Sequence, residues 1–175
     1  FEMKLGENLS LLYDQLVTGS YRPSPATCFV VTRPKPREIF AADFRDRVVH
    51  HLVVTQLNPI WERKFIHASF ACRVGKGSHG AIAHVQHKIR ELSQGGMRPV
   101  WALQLDVAKF FVSIDREILC ALLLQHATHP KLRDLIHVLY SHDARRGALK
   151  RSTPQDFSLI PPGKSWFDQE PGQGI

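Results

Sequence analysis

Leu103-Gln104-Leu105-Asp106-Val107-Ala108-Lys109-Phe110-Phe111-Val112-Ser113-Ile114-Asp115 decides how this chain is read. An acidic side chain stands in the middle of an apolar run. From Pro99 to Asp106 the residues alternate, with Trp101, Leu103 and Leu105 on one side and Val100, Ala102 and Gln104 on the other. The second side is apolar enough to predict a strand covered on both faces. Asp106 would end that buried strand, and an ionised carboxylate there is costly unless it is paired or bound to a metal. Phosphoryl and nucleotidyl transfer use such a group, because two divalent ions about 3.5–4 Å apart stabilise the attacking and leaving oxygens. Magnesium takes a few carboxylates and keeps its other positions for water and phosphate. A capping or turn aspartate is the plain alternative, and this residue alone does not choose between them.

Upstream, Leu5, Leu9, Leu12 and Leu16 recur at helical steps, and Gly19 ends that helix. Residues 28–41 read as a hairpin, with Cys28 to Val31 and Arg37 to Ala41 flanking a Pro34-Lys35-Pro36 turn. Asp43 is a good N-cap for a helix carrying Val48, Val49, Leu52, Val53 and Leu57, which Asn58-Pro59 should stop. After a short segment with Trp61 and Phe65 comes a loop, Ala71 to Gly77. Ser78 is then placed to cap a helix bearing Ile82, Val85, Ile89 and Leu92, which Gly95-Gly96 terminates. Downstream, Asp115 starts a helix through Leu123, and Pro130 starts another through Leu139. From Ser141 onward, four prolines and four glycines in 35 residues leave no periodicity. That tail reads as a loop whose returning element lies elsewhere.

The whole chain is 175 residues, 43% hydrophobic and 22% charged, so a folded core is expected. Length predicts one domain or part of one. The opening Phe1-Glu2-Met3 and the closing Gly172-Gln173-Gly174-Ile175 read as the ends of a fragment. No window approaches the roughly 18 uninterrupted apolar residues of a membrane helix, and a cytoplasmic location with no membrane partner is the expectation. Cys28, Cys72 and Cys120 are odd in number and widely spaced, which predicts reduced, mostly buried thiols rather than disulfides or a zinc site. The net charge of +7 is concentrated: residues 33–98 alone carry an excess of +7. Such a region favours a polyanionic partner, since each phosphate contact releases counterions; a solvated basic face is the other reading.

The quoted stretch resembles the first palm motif of reverse transcriptases, in the version found in bacterial retroelements: group II introns, diversity-generating retroelements and CRISPR-associated enzymes. Two upstream blocks agree in order. Pro34-Lys35-Pro36-Arg37-Glu38-Ile39-Phe40-Ala41-Ala42-Asp43-Phe44-Arg45-Asp46-Arg47-Val48-Val49-His50-His51 resembles the first fingers motif, and Ser69 through Ile82 resembles the second. Gly172-Gln173-Gly174-Ile175 is similar to the approach to the next palm motif. The resemblance implies an α+β right-hand polymerase fold, mostly helical, with a fingers hairpin and a palm strand. It implies fingers over residues 1–98 and a partial palm over 99–175. The implied activity is RNA-directed DNA polymerase, joining deoxynucleotides to a primer on an RNA template with two Mg²⁺ ions. The primer would be DNA or RNA, and an accessory protein or fused domain is a possible partner.

By that resemblance Asp106 is a catalytic metal ligand and the carbonyl of Val107 a second contact. Phe111 falls at the steric-gate position beneath the sugar, with ordinary core packing as the alternative; Phe110 reads as core. Lys35 and Arg37 fall where the hairpin supplies cations to the incoming dNTP, a point charge and a bidentate fork. Arg45 and Arg47 are too close along a helix to share a face, so one would touch nucleic acid while the other pairs with Asp43 or Asp46. Arg47 is taken as the contact. Arg73, Lys76 and the amides of Gly75 and Gly77 make a clamp for template phosphates. Asp115 is rejected as a ligand and read as an N-cap. His79, His84, His87, His126 and His129 read as surface residues.

One departure matters. The family's two other catalytic carboxylates lie in a later adjacent pair of aspartates, and no such pair follows Asp143 here. One carboxylate cannot hold two magnesium ions, so the 175 residues alone are expected to be inactive. A non-catalytic nucleic-acid-binding protein on the same scaffold is the competing reading, and an unrelated metal-dependent phosphohydrolase ranks below it.

Overall fold

In the computed structural model, which describes residues 1–174, the chain is α+β. Seven helices and a three-stranded sheet are found among the described residues. Ile175, the last residue of the Gly-rich closing motif, lies outside them. The order is α1 (Leu5–Thr18), β1 (Thr27–Val31), β2 (Arg37–Ala41), α2 (Phe44–Glu62), α3 (Gly77–Leu92), α4 (Phe110–Ser113), α5 (Arg116–Leu124), α6 (Pro130–Ser141), β3 (Leu149–Lys150) and α7 (Pro154–Ser158). The chain forms two units, one of residues 1–59 with 108–175 and one of residues 60–107.

In the first unit, the leucine ladder of α1 forms as its periodicity dictates, and Gly19 closes the helix at φ +73°. Leu12 packs with Tyr21 and Val49 in a core extended by Leu16, Leu135, Val138 and Leu139, so α1, α2 and α6 meet there. The predicted hairpin is present. β1 and β2 pair antiparallel with Phe29 opposite Ile39, and β3 adds to β1 in parallel with Cys28 opposite Lys150. The sheet order is therefore β2-β1-β3. Asp43 caps α2 by accepting the amide of Arg45 at 2.9 Å. Inside the first turn of that helix, Asp46 is buried and fully partnered. It accepts from the Tyr21 hydroxyl at 2.8 Å, the Ser24 amide at 2.7 Å and the Arg45 guanidinium at 3.1 Å. Three charge-assisted bonds are what a buried carboxylate needs to offset its lost hydration. Burial and the Asp46 carboxylate push the Tyr21 phenol well above its ordinary pKa.

α2 does not stop at Asn58-Pro59; Pro59 lies inside it and the helix runs to Glu62. A proline removes one backbone bond, and here only the final turn follows it. That turn is secured because Glu62 is bound by Arg73 at 2.7 Å. Ser78 is not the cap of α3: Gly77 already begins the helix, and no side chain caps it.

The largest correction concerns residues 99–107. They form no strand, and Trp101, Leu103 and Leu105 are exposed to 92%, 83% and 82%. Alternation makes a strand only where another strand supplies hydrogen bonds, and none of the described strands pairs with this segment. None of the second unit's apolar side chains is fully buried. Conversely, the tail that lacked periodicity contains β3, α7 and a single 3₁₀ turn at Trp166–Asp168.

Candidate functional site

The predicted site residues divide between the two units. Lys35, Arg37, Arg47 and Phe111 belong to the first, and Arg73, Gly75, Lys76, Gly77, Asp106 and Val107 to the second.

In the first unit, β1 and β2 hold the Pro34-Lys35-Pro36 turn on a paired ladder, with Val31 opposite Arg37 at its mouth. Arg33, Lys35 and Arg37 are exposed, and none enters an ion pair among the described residues. Three cations on one turn, unneutralised among the described residues, suit an anion. Arg45 is committed to Asp46 and stacks 4.8 Å from the Tyr21 ring centroid, while Arg47 is exposed against Phe44 at 5.4 Å. The division of labour between the two arginines thus leaves Arg47 as the one facing solvent. Phe111 stands on the short α4 and is 65% exposed, so it is not core; Phe110, read as core, is 52% exposed and meets Phe111 edge-on at 5.2 Å. Asp115 caps α5, accepting from the amides of Glu117 at 2.9 Å and Ile118 at 3.0 Å. Two hollows of about 600 Å³ and about 410 Å³ open on this unit, and neither is lined by Lys35, Arg37 or Phe111.

In the second unit, Arg73 ties its loop together. Its guanidinium donates to Glu62 at 2.7 and 2.9 Å and to the carbonyls of Ile66 at 3.2 Å and Ser69 at 3.0 Å, over the Phe65 ring. The same bonds hold the Glu62 carboxyl below its usual range. Lys76 donates to the His67 carbonyl and lies 5.0 Å from the Phe70 ring, and the Gly77 amide bonds to the Phe70 carbonyl at 3.0 Å. Of the predicted clamp, these groups are spent on the loop itself. Gly75, at φ +72°, adopts the left-handed conformation that a glycine permits.

Asp106 and Val107 lie on the irregular segment, and both are exposed. The buried strand end that made Asp106 look costly is absent. Among the described residues no group of three or more His, Cys, Asp or Glu side chains could hold a metal ion. One exposed carboxylate does not fit a two-magnesium centre, which takes several. Cys28 and Cys120 are buried, whereas Cys72 is exposed, and all three are free thiols. Burial is the main cause that pushes the Cys28 thiol up to about 11. No helix among the described residues is long and apolar enough to cross a membrane.

Sequence reading missed Glu38. Its carboxylate accepts from the Ser165 hydroxyl at 3.0 Å and the Trp166 amide at 2.8 Å, joining β2 to the tail. Its place two residues before Phe40 on one strand face was the available signal.

No family model matches the chain. Its sequence is 28% identical over 120 residues to Protein YkfC of Escherichia coli (strain K12), an alignment covering 67% of this chain and 31% of that protein. The chain therefore spans about a third of the length of the curated relative it matches, whose name specifies no activity.

Proposed function

We propose that the chain is the fingers, residues 1–98, and first palm portion, residues 99–175, of an RNA-directed DNA polymerase. The longer parent would extend a primer on an RNA template. The observation that carries the reading is the paired hairpin whose exposed cations Lys35 and Arg37 have no acidic partner among the described residues. Order in the sequence supports it, since the hairpin precedes a basic loop and then the Asp106 segment. In this reading Lys35 and Arg37 receive the triphosphate of a dNTP, Phe111 lies against its sugar, and Arg47 contacts nucleic acid. Arg73 and Lys76 shape their loop, leaving the Gly75 amide as the member of the clamp with no bond among the described residues. Magnesium would belong to the parent, because this chain's residues do not fit two ions.

The test is primer extension by the full-length parent. Asp106→Ala is expected to abolish incorporation while template binding persists. Retained incorporation overturns the reading. The exposure of Asp106 on an irregular segment favours a second reading, a nucleic-acid-binding protein without catalysis. That protein would bind RNA with steep salt dependence and be indifferent to Asp106→Ala.

A further inference from the structure

The segment 163–174 grips the molecule at two places. At one end it meets β2. Glu38 takes the Trp166 amide and the Ser165 hydroxyl, and Phe40, on the same strand face, packs edge-on to Trp166 at 4.7 Å and against Phe167 at 5.2 Å. At the other end it meets the stretch that carries Phe111. There the Arg116 amide donates to the Gly172 carbonyl at 3.0 Å and the Gly174 amide to the Ile114 carbonyl at 2.9 Å, while Lys109 of the same stretch reaches back to the Gly163 carbonyl, at the β2 end, at 2.6 Å. Further bonds tie the segment between these grips. Trp166 is buried and its indole N–H donates to the Gln173 carbonyl at 3.1 Å, while Arg145 donates to the Gln169 carbonyl at 2.7 Å. Gly174 is required there: at φ +82°, a Cβ would come within 2.1 Å of the Trp166 ring nitrogen.

Cations cannot themselves fix the hairpin, because Lys35 and Arg37 touch nothing acidic among the described residues. Glu38, next to Arg37, is the one acidic residue of the hairpin, and it is spent on the bracket rather than on its cationic neighbours. We propose that Glu38 is a positioning residue, latching the basic hairpin to the 163–174 bracket so that Lys35, Arg37 and the Phe111 helix are held on one frame for a nucleoside triphosphate. The nucleotide clause rests on the polymerase reading; the latch itself does not.

Two measurements test it. In the 175-residue chain, amide hydrogen exchange is followed for Glu38→Ala and Glu38→Gln. Glu38→Ala is expected to speed exchange about tenfold at Trp166 and also at Gly174 and Arg116, with the β1–β2 ladder amides unchanged as a control for folding. Glu38→Gln, which keeps an acceptor oxygen, restores most of that protection. Unchanged exchange at Gly174 and Arg116 in Glu38→Ala overturns the latch. In the full-length parent, Glu38→Ala should raise the nucleotide KM about tenfold with kcat within about twofold, and Glu38→Gln should recover KM. A kcat loss without a KM change overturns the positioning role. A wild-type parent that incorporates no nucleotide defeats the polymerase reading, and the exchange data then decide the latch by themselves.

Discussion

Asp143 shows how much one side chain can set. The Arg145 guanidinium binds it side-on, Nε to Oδ1 at 2.9 Å and Nη2 to Oδ2 at 2.7 Å, and the Arg145 amide adds a third bond. Those bonds, with the Arg145 and Arg116 charges, hold the carboxyl at about 2 against partial burial. A carboxyl lowered in the folded state stabilises the fold above its unfolded pKa of about 3.9. That contribution is lost as pH falls from about 4 toward 2. Solvent screening of this partly exposed pair holds its size to about 1 kcal/mol, and Asp143→Asn should remove it at neutral pH and flatten the acid limb of stability between those values. Urea midpoints for both proteins from pH 2 to 7 check this; parallel curves would reject it. Arg145 also holds the Gln169 carbonyl, so the pair fastens the tail as well as itself. Sequence reading passed over it because a two-residue acid–base spacing in a loop has no periodicity to announce it.

At the scale of elements, legibility followed locality. α1, the hairpin, the Asp43 and Asp115 caps and the helix after Pro130 were readable because each is specified by neighbours within a few residues. α7 was equally local and still missed. Thr153-Pro154-Gln155-Asp156 is a capping box with proline at the first helical position: the Asp156 amide bonds the Thr153 hydroxyl at 3.2 Å, and the Asp156 carboxylate takes the Thr153 amide at 2.9 Å. Looking only for apolar period hid it, since a five-residue helix has almost none. Thr153→Ala should cost about 1 kcal/mol, read from the shift in the denaturation midpoint, and Thr153→Ser should cost much less. The 99–107 strand failed for the opposite reason. A strand is a property of its partners, and alternation in one segment says nothing of whether they are present. The candidate site divided in the same way. The exposed cations of the hairpin were legible from the turn, whereas Arg73's engagement with Glu62 depended on α2 continuing past Pro59.

Across the molecule, apolar burial is uneven. The buried apolar side chains among the described residues all belong to the unit of residues 1–59 and 108–175. Residues 60–107 display Val85 and Ile89 on α3 and Leu103 and Leu105 beyond it, all exposed. Replacing both Leu103 and Leu105 with serine should therefore shift the unfolding free energy of this chain by no more than about 0.5 kcal/mol per site, as for other surface positions. A loss of several kcal/mol would mean that the segment packs in solution. Charge follows its own division, since the basic excess sits in residues 33–98 and so spans both units.

The parallel contact between β1 and β3 has a consequence for how the chain is made. The Val30 amide is bonded to the Ser152 hydroxyl, 122 positions away, so the sheet unites residues far apart along the chain. The hairpin can close once residue 41 has left the ribosome, but its third strand arrives only when Leu149 and Lys150 have emerged as well. During that interval the β1 edge is open, and a chaperone or a second nascent chain has its best opportunity to engage it.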